Sequence, residues 1–261
     1  TSATFAKPLL DSGKKVIDLS ADFRIRSPEI YQSFYDSPHP APELLKTSQY
    51  ALPELNPLSW DVSHLLASPG CYPTSIILPL APLLKEKLIG ADDIIANSMS
   101  GVSGAGSNPS EKLMFCERNE NACAYGLPKH RHLSEIEEQL SAFQGQQLTL
   151  SFHPHLVPIN RGICTTISAP AADQVKVEDI HACWNAYYGD RAFVKILENG
   201  SFPEIKNVAR TNGIDIAVHH DSRTNRFTLC SAEDNLVKGA GGQAIQAMNI
   251  CQGYPENTGL L

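Results

Sequence analysis

The stretch His64-Leu65-Leu66-Ala67-Ser68-Pro69-Gly70-Cys71-Tyr72-Pro73-Thr74 constrains this chain more than any other. A short run of buried-strand character closes on Ser68-Pro69-Gly70, and an apolar helical run follows at Ile76, Ile77, Leu80, Leu83, Leu84 and Leu88. Gly70 permits a tight turn, and Pro73 suits the first turn of a helix. A strand that passes straight into a helix is the repeating unit of an α/β sheet. Pro79 within the run predicts a kink, because it removes a backbone donor.

The rest of the chain fits around that unit. A weak helix over Phe5 to Leu10 stops at Gly13, and Val16 to Leu19 reads as a strand. Prolines 28, 38, 40 and 42 make residues 27–48 a connecting loop with one short helix. Ile94-Ile95-Ala96 is a strand entering the loop Ser100 to Gly106, and residues 107–129 are polar and loop-like. Ser134 and Glu137 have capping-box spacing before an amphipathic face of Ile136, Leu140 and Phe143. Strands are expected at 148–152, 163–168, 193–197, 214–218 and 226–230, with helices at 177–188 and 236–251. His219-His220 reads as a turn. The order predicts α/β architecture with an inserted mixed sheet.

Composition removes several classes. With 42% hydrophobic and 19% charged residues, the chain is neither disordered nor a coiled coil. A net charge of -7 argues against nucleic acid or an anionic membrane as partner. The best apolar stretch, Ser75 to Leu84, is short for a bilayer and broken by Pro79 and Pro82. No secretory pattern is visible, and seven cysteines without a CxxC pair suit a reducing compartment better than a disulfide framework or a zinc site. The expectation is a cytoplasmic protein without a metal. Thr1 to Lys15 already looks like the second half of a helix entering a strand, so a preceding segment is expected.

Three places could carry chemistry. Cys71 stands where a strand gives way to a helix, and the positive end of a helix dipole would favour its thiolate; a buried structural cysteine is the alternative. His130 and His132 precede Ser134, the expected cap, where the dipole would keep an imidazole neutral; a solvated polar loop is the alternative. Ser103-Gly104-Ala105-Gly106 could bring backbone N–H groups to an oxyanion, although glycine-rich turns are common. Arg24 and Arg161 each read as an anion-binding group or as a surface ion pair. Asn235 is a plausible cap for the last helix. His153 and His155 flank Pro154 without an acidic neighbour, which favours structural roles over metal binding.

Seven segments stand in order along the chain: Val16-Ile17-Asp18-Leu19-Ser20-Ala21-Asp22-Phe23-Arg24, Tyr50-Ala51-Leu52-Pro53-Glu54-Leu55, Ser68-Pro69-Gly70-Cys71-Tyr72-Pro73-Thr74, Gly101-Val102-Ser103-Gly104-Ala105-Gly106, His130-Arg131-His132-Leu133-Ser134-Glu135-Ile136, His155-Leu156-Val157-Pro158-Ile159-Asn160-Arg161-Gly162 and Asp234-Asn235-Leu236-Val237-Lys238-Gly239. Together they resemble the N-acetyl-gamma-glutamyl-phosphate reductase family of arginine biosynthesis, which is related to aspartate-semialdehyde dehydrogenase. Ser75 stands where the family usually has Gly or Ala, and Ser134 where it usually has Pro. The family opens with a nucleotide-binding strand, glycine loop and helix that this sequence does not include.

The resemblance implies reduction of an acyl phosphate by NADPH through a Cys71 thioester, with His130 or His132 serving the carbonyl oxygen. Arg24 and Arg161 would hold the substrate's phosphate or α-carboxylate. Asn235 would meet the nicotinamide amide, and Ser103, Gly104, Ala105 and Gly106 the cofactor's phosphates or ribose. Residues 1–72 and 235–261 would be part of a Rossmann-type NADP-binding domain, to which the C-terminal helix returns. Residues 73–234 would be an α+β catalytic and dimerisation domain, giving a homodimer or homotetramer. Other readings remain: a related semialdehyde dehydrogenase of a lysine-type pathway, a cysteine acyltransferase or hydrolase, or a non-catalytic assembly module.

Overall fold

The computed structural model describes residues 2–106 and 108–260. Helix α1 (Ala3–Asp11) leads into strand β1 (Val16–Asp18). Helix α2 (Pro28–Tyr35) follows, its first turn fixed by Pro28 and by Ser27, whose hydroxyl accepts the Ile30 N–H at 3.2 Å. Strands β2 (Gln49–Tyr50) and β3 (Leu65–Ala67) complete a small parallel sheet in the order β1-β3-β2. Leu65, Leu66 and Ala67 are buried on both faces, which explains their unbroken apolar run.

Three residues separate β3 from helix α3 (Cys71–Lys85), which joins that sheet to a larger one. Tyr72 to Leu84 are all buried, as expected of a helix that is apolar all round. It runs unbroken through Pro79 and Pro82. Each proline withholds the N–H that the carbonyl four residues earlier would receive. The Ser231 hydroxyl supplies a donor to the Ser75 carbonyl at 2.7 Å, and the Tyr188 hydroxyl one to the Leu78 carbonyl at 2.7 Å.

The second part begins with strand β4 (Ile95–Ser100), a short helix α4 (Phe115–Arg118) and strand β5 (Cys123–Ala124). Helix α5 (Arg131–Gln144), strands β6 (Ser151–Leu156) and β7 (Ile163–Pro170) and helix α6 (Val177–Tyr188) come next. Strand β8 (Val194–Ile196), helix α7 (Ile205–Val208) and strands β9 (Ile214–Asp221) and β10 (Arg226–Glu233) follow. A π-helical turn at Val237–Gly241 opens into helix α8 (Gly242–Cys251). The seven strands form one mixed sheet in the order β5-β6-β4-β7-β10-β9-β8. Along β7 the residues Ile163, Thr165, Ile167 and Ala169 face the helices and are buried, while Cys164, Thr166 and Ser168 face the other way. On that open face Ile95 and Met99 of β4 are exposed.

Four local expectations need correction. The cap of α5 is His130, not Ser134, because the His130 ring accepts the His132 N–H at 3.1 Å and starts the helix earlier. His219 and His220 belong to β9 rather than a turn, paired with Thr228 and Phe227. The strand expected at 148–152 lies at 151–156, with Pro154 inside it. Pro154 is tolerated because its nitrogen faces the short edge strand, where its carbonyl takes the Tyr125 N–H at 3.1 Å. Asn235 does not cap the last helix; the π-helical turn precedes that helix, and Asp234 steadies the entry to the turn by accepting the N–H groups of Leu236 and Val237 at 2.8 and 3.0 Å.

The topology brings distant segments to one edge. The carboxyl ends of β1 and β3 deliver Arg24 and Cys71. In the large sheet Ser100 and Glu233 are both paired with Ile163, so the ends of β4 and β10 and the start of β7 coincide.

Candidate active site

Cys71 is the first residue of α3, a half-buried free thiol preceded by Gly70 in extended conformation. The π-helical turn presses against it. A Cβ built on Gly239 would lie 2.6 Å from the Cys71 Cβ and 3.0 Å from Glu233 Oε1, so only glycine fits. The thiol's acidity differs from the expected thiolate. Burial, followed by the neighbouring Glu233 carboxyl, pushes it up to about 12, while the Tyr72 N–H and Arg24 pull the other way. Removal from water outweighs the helix dipole here. Glu233 is fully buried and neither carboxyl oxygen has a partner among the described residues. Burial holds this group well above the usual carboxylate range, which favours its neutral form.

The two histidines remain neutral for the same physical reason. Burial lowers His130 to about 4, helped by Arg131, and holds His132 well below an ordinary imidazole, helped by Arg24. Their tautomers follow from their partners. His130 Nδ1 accepts the His132 backbone N–H, leaving the proton on Nε2. His132 Nε2 faces Arg24 Nη1 at 3.5 Å, and a guanidinium can only donate, so the proton sits on Nδ1, which is buried and unpartnered. Each ring therefore offers an N–H. A Cβ on Gly70 would meet His132 Nε2 at 2.6 Å, placing that ring beside the residue before Cys71.

Arg24 is not a surface ion pair; it lines a cleft beside Cys71, with several of its donors engaged by the protein. It is buried; Nε donates to the Ser68 carbonyl at 2.7 Å and Nη2 to the Leu19 carbonyl at 2.8 Å, while Nη1 lies 3.4 Å from Oε2 of Glu135 on α5. Glu135 Oε1 in turn accepts the Gly70 N–H at 2.9 Å and the Tyr50 hydroxyl at 2.8 Å. Arg161 is half-exposed and 3.5 Å from the buried Asp234 carboxylate. Asn235 Oδ1 accepts the Gly162 N–H at 2.6 Å and its Nδ2 donates to Ser103 Oγ at 3.0 Å, which leaves one amide hydrogen. Ser103 lies in a 3-10 turn at Val102–Ala105, and the N–H groups of Ser103 and Gly104 are engaged by the Asn160 and Gly101 carbonyls.

Two cavities meet at Cys71. A cleft of about 720 Å³ is lined by Ser20, Gly104, Gly106, Asn235, Gly239 and Ala240 among others. A more enclosed pocket of about 420 Å³ lies on the other side, with Tyr72, Tyr125, His130 and Leu156 in its wall. Cys71, Gly104, Arg131 and His132 line both. The structure thus brings Cys71, both histidines, Arg24, the 103–106 loop and Asn235 to one place. Arg161 stands beside it, tied to Asp234.

The semialdehyde dehydrogenase dimerisation domain family matches residues 71–235. An N-acetyl-gamma-glutamyl-phosphate reductase of Akkermansia muciniphila is 49% identical over 259 residues, covering 99% of this chain and 75% of that protein. The reductase of the same name from Desulforudis audaxviator is 47% identical over 260 residues, covering 100% of this chain and 75% of its own. The chain belongs to the N-acetyl-gamma-glutamyl-phosphate reductase family. Among solved structures, aspartate semialdehyde dehydrogenase II from Vibrio cholerae shares the fold, with a TM-score of 0.71 at 16% identity over 95% of this chain and 76% of that one. The enzyme from Francisella tularensis gives a TM-score of 0.66 at 16% identity over 95% of this chain and 78% of its own.

Within this reductase-family site, Glu135 and Glu233 were not singled out by the sequence reading. Glu135 follows His132 by three positions, the spacing that puts both on one helix face. Glu233 continues the core-facing series Phe227, Leu229 and Ser231 on β10, and a carboxylate in that register was the available signal.

Proposed function

We propose that this chain carries the chemistry named for its family, the NADPH-dependent reductive dephosphorylation of N-acetyl-L-glutamyl 5-phosphate to the 5-semialdehyde in arginine biosynthesis. The observation that carries the reading is Cys71 at the junction of two cavities, with neutral His132 beside it.

Cys71 Sγ attacks the acyl carbon in the enclosed pocket. The S–C bond forms as the C–O bond to phosphate breaks, and the thiol proton leaves with the phosphate, giving a Cys71 thioester. Cysteine suits this step as both a strong nucleophile and a good leaving group. The negative charge that develops on the carbonyl oxygen meets N–H groups on His130 Nε2 and His132 Nδ1, support worth roughly 10²- to 10³-fold in rate per donor. A reduced nicotinamide held in the larger cleft by Asn235 and the glycines beside it would supply the hydride that the Cys71 thioester needs to become a thiohemiacetal. The same N–H groups hold its oxyanion until the C–S bond breaks, releasing the aldehyde and a thiolate that takes a proton from water to regenerate the Cys71 thiol.

The residues of the cleft suit a flat cofactor ring. Gly104, Gly106, Gly239 and Ala240 offer little side-chain bulk, and Asn235 keeps one amide hydrogen for a carboxamide. The hydroxyls of Ser20 and Ser103 donate to Asp18 and to the Asn160 carbonyl and keep a lone pair for a ribose hydroxyl. In this reading residues 1–72 and 235–261 belong to the cofactor-binding domain and 73–234 to the catalytic domain. The open sheet face bearing Ile95 and Met99 meets a second copy, giving a homo-oligomer, and the enzyme works in the cytoplasm. Cys71→Ser should abolish NADPH oxidation with this substrate. Activity retained by that variant, or acyl transfer without any change in nicotinamide absorbance, would overturn the reading in favour of a cysteine hydrolase or acyltransferase.

A further inference from the structure

The substrate of the proposed reaction carries two anionic groups, the phosphate on the reacting carbon and a carboxylate at its far end. The arginines that the sequence points to do not face them freely: Arg24 is engaged by two carbonyls and Glu135, and Arg161 by Asp234. The enclosed pocket has other cations. Lys112, Arg118 and Arg131 all line it, and none is ion-paired among the described residues. Arg131 belongs to the wall shared with the cofactor cleft, beside Cys71, whereas Lys112 and Arg118 line the enclosed pocket alone.

Arg118 is poised in a particular way. Its Nη1 donates to Cys123 Sγ at 3.2 Å, a weak acceptor, and its Nε is buried without any partner. An unmet buried donor is costly, and a carboxylate entering the pocket would satisfy it. Distance along the substrate separates the two anions. The phosphate sits on the carbon that Sγ attacks, next to Arg131; the α-carboxylate carbon is four bonds further on, roughly 5 Å away. Resting on the reductase reading above, we propose that Lys112 and Arg118 form the subsite for the substrate's α-carboxylate, and so select an N-acyl amino-acid semialdehyde over an uncharged aldehyde.

The test runs the whole enzyme in the oxidative direction, where N-acetyl-L-glutamate 5-semialdehyde and inorganic phosphate are varied separately against NADP. Arg118→Met should raise KM for the semialdehyde roughly ten- to hundredfold and leave KM for phosphate within about twofold. Arg118→Lys should recover part of the loss. Lys112→Met, at an exposed position, should move the same constant in the same direction. The α-carboxamide analogue should be discriminated against by the native enzyme and no longer by Arg118→Met. An unchanged semialdehyde KM in both Met variants, or a rise confined to phosphate, overturns the subsite while leaving the reductase reading intact. A native enzyme inert toward the semialdehyde overturns that reading, and the subsite with it.

Discussion

Glu135 accepts the backbone N–H of Gly70 at 2.9 Å, so a carboxylate on α5 holds the residue that immediately precedes the reactive cysteine. The same side chain pairs with Arg24 at 3.4 Å and takes the Tyr50 hydroxyl at 2.8 Å. Arg24 and Glu135 are 7% and 2% exposed, and removing one partner of so buried a pair leaves an uncompensated charge. Glu135→Gln should therefore lower stability by about 3–5 kcal/mol and reduce turnover, because Gly70 loses its charged acceptor. Urea unfolding would show a lower midpoint with unchanged slope; a midpoint equal to the native one would remove Glu135 from this role.

The neutral histidines make the fold acid-sensitive in a defined window. His130 titrates near 4 in the folded state, below the 6.5 of an unperturbed imidazole, and His132 is shifted in the same direction. The unfolded chain then binds more protons than the native one between those values, so stability is fully present above about pH 6.5 and falls as pH drops toward about 4. Denaturation midpoints recorded from pH 8 to 4 should decline through that interval. His132→Asn should flatten the decline; an identical slope in that variant would show that other groups cause it.

The sequence made the chemistry-bearing segments legible because each ends a strand or opens a helix, where a local motif is complete in itself. Cys71 behind Ser68-Pro69-Gly70 and the helix at Val177–Tyr188 are of this kind. What it could not give were relationships across the fold. The acidity of Cys71 depends on its burial and then on Glu233, which is far away in the chain but adjacent across the Gly239 backbone. The engagement of Arg24 by Leu19, Ser68 and Glu135 exists only after three elements pack. The cap of α5 was misplaced for a subtler reason: a histidine ring replaced the usual hydroxyl or carboxylate acceptor.

Glu233 should act on Cys71 through its charge rather than its shape. While the carboxyl is neutral, Glu233→Gln changes little at the sulfur; once it ionises as the pH rises, the native thiol faces an added negative charge and the variant does not. Rates of Cys71 alkylation by iodoacetamide should thus coincide at the acidic end of a pH series and diverge as the pH rises, with Glu233→Gln the faster. Parallel curves over the whole range would mean that the two groups do not communicate.

The prolines of α3 lead to a prediction about stability alone. Pro82 leaves the Leu78 carbonyl without its helical donor, and the buried Tyr188 hydroxyl fills that place from α6 at 2.7 Å; Ser231 does the same for the Ser75 carbonyl opposite Pro79. Tyr188→Phe keeps the ring and removes only the hydroxyl, leaving a buried acceptor unmet at a cost of about 1–3 kcal/mol. Combining it with Pro82→Ala restores the helical N–H to the same carbonyl, so the two changes should be markedly non-additive in a double-mutant cycle. A Tyr188→Phe protein as stable as the native one, or simple additivity of the pair, would show that the hydroxyl is not standing in for the missing backbone donor.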